Sequence, residues 1–225
     1  MTLILAIETA GEHLSIAIQS ENKTLYSSLL FLPHAHSQLT ASLVEAGIHS
    51  IGKNMSDISA VAVGSGPGSY TGLRFGLSVA KGICFGCEIP LLSVNGLENM
   101  ANQILGKFPH LDAVVACLPA RKDEFFYAAF SQDGTCLIPP QAGKSGDIQL
   151  NDVLFPFQSV IVCGKNAKEF AEHCRLPETV EINESVSPLV GVTAGMAYQK
   201  WMKGTFEDVA MFEPAYLKPV YISGR

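Results

Sequence analysis

The sequence predicts an α/β chain built from two copies of one βββαβαβα unit, with mixed sheets flanked by helices. Three observations predict it. The first is the stretch ISAVAVGSGPGSYTGLRFGLSVAKG at residues 58–82, where an apolar strand, a glycine-rich corner and a small-residue helix follow without a break. The second is that the same order of short apolar and helical runs recurs after residue 106. The third is length: 225 residues are long for one domain and short for two, and a duplicated unit divided at 1–106 and 107–225 accounts for that.

In chain order, residues 3–9, 13–19 and 24–31 are apolar or alternating runs parted by AGE and SENK turns, hence an antiparallel meander. A helix follows over 37–46: Ser37 is placed to cap it, Leu39, Leu43 and Ala46 share a face, and Gly47 closes it. Residues 58–63 are too short and too apolar for an amphipathic helix and suit a strand covered on both faces. Gly64, Gly66 and Gly68 then let the chain turn sharply, and Ser69 or Thr71 caps a helix over 71–81. Within it Gly72, Gly76 and Ala80 recur at i, i+4 and i+8 and make a flat face, with Leu73 and Leu77 beside it. Glycine inside a helix costs roughly 1 kcal/mol against alanine, so a packing requirement is expected to retain both. A strand at 90–94 and a helix at 97–105 complete the first unit.

The second unit repeats the order with strands at 110–118, 124–131 and 135–138, a short helix at 150–155, a strand at 160–163, a helix at 165–174, a strand at 180–182 and a final helix at 190–203. Pro139, Pro140, Gly143 and Gly146 read as a long loop, so this copy is expected to be trimmed. Beyond Gly204 the run EPAYLKPVYISGR reads as an extended arm pinned by Tyr216, Leu217 and Tyr221.

Composition narrows the function classes. Hydrophobic residues make up 48% of the chain and charged ones 16%, which argues for an ordered globule. A net charge of −6 offers no basic field for gripping nucleic acid unaided, so any RNA role needs a partner. The start lacks the basic residues of a secretory signal, and the longest apolar run, 77–94, is broken by Lys81, Glu88 and Pro90. Six scattered cysteines then fit the reduced thiols of a cytoplasmic protein, and the lone Cys84-x-x-Cys87 has no second pair to make a metal or redox site.

The glycine corner admits two readings. Free N–H groups at the start of a helix can cradle a phosphate; equally, glycines let two backbones pass closely. The GK[ST] ending of a P-loop is missing and Pro67 removes one donor, which leans towards the close connection. His34 and His36 lack a third ligand and the spacing of a zinc helix, and no GxSxG elbow is present, so no metal site, nucleophile or cofactor is expected.

The duplicated unit resembles the actin-like architecture (ASKHA, RNase H-like) of sugar kinases and heat-shock ATPases. Those proteins carry an acidic residue and a glycine-rich turn in the first hairpin. Glu8, Thr9 and Gly11 are the nearest equivalent, although a solvated carboxylate at a turn is the plainer expectation for Glu8. The matching turn LPARKDE has no glycine to build a phosphate nest.

VGSGPGSYTGLRFGLSVAKG, with LAIETA at the start, HSQLTASLVEAG before it and PAYLKPVY at the end, closely resembles the TsaB (YeaZ) family. The resemblance implies a noncatalytic subunit. It implies pairing with the paralogue TsaD, and with the ATPase TsaE, to install threonylcarbamoyl on the adenosine beside the anticodon, with tRNA met only through the complex. TsaD carries a metal-binding HxxxH; in that register the two positions fall on Gly96 and Met100. The partner surface implied is the helix pair 37–46 and 71–81, with His36, Leu39, Leu43, Leu73, Arg74, Gly76, Leu77 and Ala80 as contacts and a homodimer when TsaD is absent. The alternative is an active actin-like ATP-dependent phospho- or carbamoyltransferase using Glu8 and the loop at 66–72. Arg121, Lys122, Lys200, Lys203 and Lys218 are the candidate RNA contacts, with solvated surface charge as the default.

Overall fold

The computed structural model describes every residue except Glu12, Asn22, 32–35 and 219–225, and describes 36–38 by backbone alone. Tyr221 and the side chains of His36 and Ser37 therefore lie outside the described residues. The chain forms two compact units, Met1–Asn99 with Pro188–Pro214, and Met100–Ser187 with Ala215–Arg225.

In the first unit, β1 (Leu3–Glu8), β2 (Leu14–Ser20) and β3 (Lys23–Leu30) form the antiparallel meander. Next come α1 (His36–Ser50), β4 (Ala60–Gly64), α2 (Tyr70–Cys87), β5 (Leu91–Val94) and α3 (Gly96–Leu105). The sheet order is β3-β2-β1-β4-β5, with β4 parallel to both β1 and β5. One face, carrying Leu3, Leu5, Ile7, Ile16, Val61 and Val63, packs under α1 and α2.

The second unit has β6 (Ala113–Arg121), β7 (Glu124–Ser131), β8 (Cys136–Lys144), α4 (Asn151–Leu154), β9 (Val160–Cys163), α5 (Ala167–His173) and β10 (Glu181–Asn183). Its order, β10-β9-β6-β7-β8, is that of the first sheet read from the other edge, with the same parallel and antiparallel pairs. The duplication is thus a matter of topology.

Four local expectations change. The first helix runs through Gly47, which lies flat beneath the Tyr26 ring, and is closed by Gly52 at φ +68. Its partner α2 continues past Lys81 to Cys87 because Gly82 and Gly86 face open space, and Glu88 at φ +54 caps it. The supposed loop after Ile138 is strand, since β8 is an edge strand and tolerates Pro139 and Pro140 at a register shift opposite Ala128. The last helix, α6 (Val190–Met202), packs on the first sheet, with Val190, Ala194 and Ala197 against Ile4, Ala6, Ala17 and Leu92. Chain order had placed it in the second half. The segment after it stays with the same unit: Glu207 N–H donates to Leu91 O (2.9 Å), and Val209 and Phe212 pack on the first core. Pro214 is buried there, while Tyr216 is exposed.

Candidate functional site: the glycine corner and the outer face of its helix

The corner is built where β1 and β4 end side by side. Glu8, the last residue of β1, is 2% exposed, so it is no solvated turn residue. Its Oε1 accepts the Ala10 N–H at 3.0 Å, and a Cβ on Gly64 would stand 2.1 Å from Oε2. Gly64 therefore leaves the room that the carboxyl fills. Burial raises the Glu8 carboxyl above its ordinary range, against the partial pull of the Ala10 and Thr9 N–H groups.

The same β1 end explains the helical glycines. Thr9, fully buried, donates Oγ1–H to Gly72 O at 2.8 Å. A Cβ on Gly76 would lie 2.2 Å from that Oγ1, and one on Gly72 would lie 2.2 Å from Thr9 O. The flat face of α2 thus receives a strand end of its own unit. At the corner itself, Ser69 is the cap, its Oγ accepting Gly72 N–H at 3.2 Å, while Thr71 is exposed inside the helix. Two loop donors are already engaged: Ser65 N–H with Val94 O (2.9 Å) and Ser69 N–H with Ala10 O (2.8 Å). At Gly68 a Cβ would lie 2.3 Å from Ala10 O, and Gly66, at φ +91, accepts Gly96 N–H at 2.7 Å. These are the contacts of two backbones held close.

The residues expected at a partner surface divide accordingly. Leu73, Gly76, Leu77 and Ala80 are buried within the unit, because the apolar side of α2 covers β1 and β4. Leu73 and Leu77, which the sequence leaves open to either anchor or core, take core positions together with Gly76 and Ala80. Leu39 and Leu43 are half-buried against the same core, Arg74 is exposed, and the His36 side chain lies outside the described residues. What faces outward on α2 is Tyr70, Arg74, Ser78 and Phe85, the last 84% exposed. Arg74 lies 5.3 Å from the Tyr70 ring centre and donates Nη1–H to its hydroxyl. Sequence reasoning missed Phe85. The signal for it was present: Tyr70, Arg74, Ser78 and Phe85 share one helical side, opposite the glycines.

The remaining candidates carry little chemistry. Gly96 starts α3 and has no donor side chain, while Met100 is fully buried with its Cε methyl beside Gly164. A glycine and a thioether do not suit the hard or borderline metal that an HxxxH pair would hold. Among the described residues no three His, Cys, Asp or Glu side chains gather as a metal would need. None of the six cysteines is in a disulfide; burial holds Cys84 at about 11, and Cys163 and Cys174 each at about 12, as unreactive thiols. No helix among the described residues is long and apolar enough to cross a membrane.

Comparison with known proteins gives this geometry a family. A family model described as TsaD, tRNA N6-adenosine threonylcarbamoyltransferase, matches residues 32–217. The tRNA threonylcarbamoyladenosine biosynthesis protein TsaB of Escherichia coli (strain K12) is 35% identical over 130 residues, 58% of this chain and 55% of that one. The protein of the same name from Bacillus subtilis (strain 168) is 34% identical over 98 residues, 44% and 43% of the two chains. The matched part of this chain thus spans about half the length of these curated relatives. Among solved structures, an uncharacterized protein from Pseudomonas aeruginosa with similarity to peptidase YEAZ shares the fold at a TM-score of 0.82 and 23% identity, covering 97% of this chain and 100% of that one. A ROK hexokinase from Thermus thermophilus follows at a TM-score of 0.54 and 10% identity, over 89% and 100% of the chains, which is the actin-like architecture again. The chain belongs to the TsaD family of tRNA N6-adenosine threonylcarbamoyltransferases and is similar to TsaB/YeaZ proteins.

Proposed function

We propose that the chain is a noncatalytic scaffold subunit that binds a TsaD paralogue, with TsaE, for threonylcarbamoyl transfer to the adenosine beside the tRNA anticodon. One observation carries this reading: in a family named for a transferase, the register of the metal pair holds Gly96 and a buried Met100. The chain keeps the architecture and has lost those two ligands. The alternative of an active transferase gains nothing from Glu8, whose carboxyl is enclosed under Gly64.

The surface offered to TsaD is the outer stripe of α2 (Tyr70, Arg74, Ser78, Phe85), flanked by α1. A helix side that carries an exposed Phe, an Arg and a Tyr has the composition of an interface centre. Without TsaD the same stripe pairs two copies of the chain. Transfer RNA is met only within the assembly, since the net charge of −6 supplies no grip of its own. Co-purification with the organism's TsaD tests this. The wild-type chain should be retained, and Arg74→Glu with Phe85→Asp should lower retention by about tenfold or more. Equal retention of both chains would contradict the reading.

A further inference from the structure

The second unit carries a concavity to which the proposed subunit role assigns no part. It holds about 330 Å³ and is floored by Leu154, Val160 and Val180, with Phe155 and Phe157 along its rim and Arg175 at its edge. Phe155 is 90% exposed, whereas Leu154 and Val160 are 7% and 6% exposed. Phe155 thus extends exposed apolar surface beside a buried apolar floor.

The duplication explains why the space exists. Before its fourth strand the first unit places the 15-residue α1, and Ile51, Met55 and Ile89 pack half-buried on the core at the foot of that strand. The second unit has only the 4-residue α4 there, stopped by Pro156. The corresponding foot of β9 is thus short of a helix and opens to solvent.

Charge then selects the occupant. Arg175 is the one ionisable residue lining the concavity, and its guanidinium makes no ion pair or hydrogen bond with a described residue. Its backbone, at φ +52 just after α5, fixes where the side chain leaves the chain. We propose that this concavity docks a segment of another polypeptide that presents an apolar side chain next to a carboxylate. The side chain seats on Leu154, Val160 and Val180 between the two phenylalanines, and the carboxylate pairs with Arg175. Asn151, Gln158 and Thr179, also lining it, can meet the peptide backbone.

The inference does not depend on the proposed function. The test is a titration of the full chain, followed through its amide NMR shifts, with N-acetyl-leucyl-glutamate amide and with the isosteric N-acetyl-leucyl-glutamine amide. Saturable shifts at Thr179 and Val180 are expected for the acid, with the neutral probe weaker by about tenfold. Arg175→Gln should erase that preference and Arg175→Lys should restore part of it. Phe155→Ser, which removes only an exposed side chain, should weaken both probes. Absence of saturable shifts, equal affinity for the two probes, or octanoate binding as tightly as the acidic peptide would each overturn the proposal.

Discussion

In the first unit the strand pair β1 and β4 ends on a buried carboxyl, Glu8, lying under Gly64; in the second the pair β6 and β9 ends on buried Cys117, whose backbone carbonyl lies under Gly164. A Cβ on Gly164 would stand 1.9 Å from Cys117 O, as close an approach as any at the first corner. The glycine at this crossing is therefore a requirement of the topology, present in both copies whatever chemistry surrounds it. The difference lies in what was built upon it. The first unit adds an 18-residue helix with its own glycine face for Thr9; the second adds a 7-residue helix and, among the described residues, buries no charged group. One copy keeps a long helix and a buried carboxyl at its corner, and the other is reduced to backbone packing.

Several changes would break or sharpen that contrast. The largest effect is expected at Phe170, fully buried and edge-on to Phe125 at 5.2 Å, because the short α5 anchors the second core through it. Phe170→Ala should cost roughly 3–5 kcal/mol in urea unfolding, as a cavity among close-packed rings does. Next come the crossing glycines. Gly64→Ala should cost roughly 1–3 kcal/mol by overpacking, and Gly164→Ala should cost more, since its φ of +124 adds backbone strain to the contact. If Gly164→Ala were tolerated while Gly64→Ala was not, the crossing would not be a shared requirement.

The third change separates the two corners by pH. Glu8 has a folded value raised above the ordinary 4.5, so its protonated form is favoured on folding. Its contribution is fully present below the unfolded value and is lost as pH rises through the folded one. Unfolding midpoints of wild-type chain and Glu8→Gln should therefore diverge as pH rises above 4.5, the wild type losing stability as pH increases. Cys117, raised well above 9.0 by burial and by Cys163, Cys174 and Glu184, stays neutral there. Cys117→Ser should leave that pH profile unchanged. The smallest effect is at Gly82, where a Cβ meets nothing within 4 Å. Gly82→Ala should raise stability by roughly 0.5–1 kcal/mol through helix propensity alone, read as a higher thermal midpoint.

Much of this was legible in the chain. The strands at 124–131 and 160–163 fall where periodicity puts them, and the order of elements revealed the duplication. The glycine repeat of α2 announced a close approach but not its partner: spacing tells that a face is flat, and only the tertiary fold says that Thr9 fills it. For the same reason Leu73 and Leu77, apolar and adjacent, could be read as anchors for another chain when they are core. The partner of α6 was hidden because local pattern marks an apolar helix without naming the sheet it covers. Pro139 and Pro140 misled because a proline ends a central strand but not an edge strand, and edge position is itself a tertiary fact.

The central claim is that this chain acts through the outer face of α2 and performs no bond-making of its own. The direct measurement is threonylcarbamoylation of tRNA by the organism's TsaD and TsaE, supplied with no chain, with the wild-type chain, with Glu8→Gln, or with Arg74→Glu and Phe85→Asp together. Modification should need the chain, survive Glu8→Gln and fail with the face variant. Full modification without the chain, or its loss in a Glu8→Gln protein that still binds TsaD, would contradict the account.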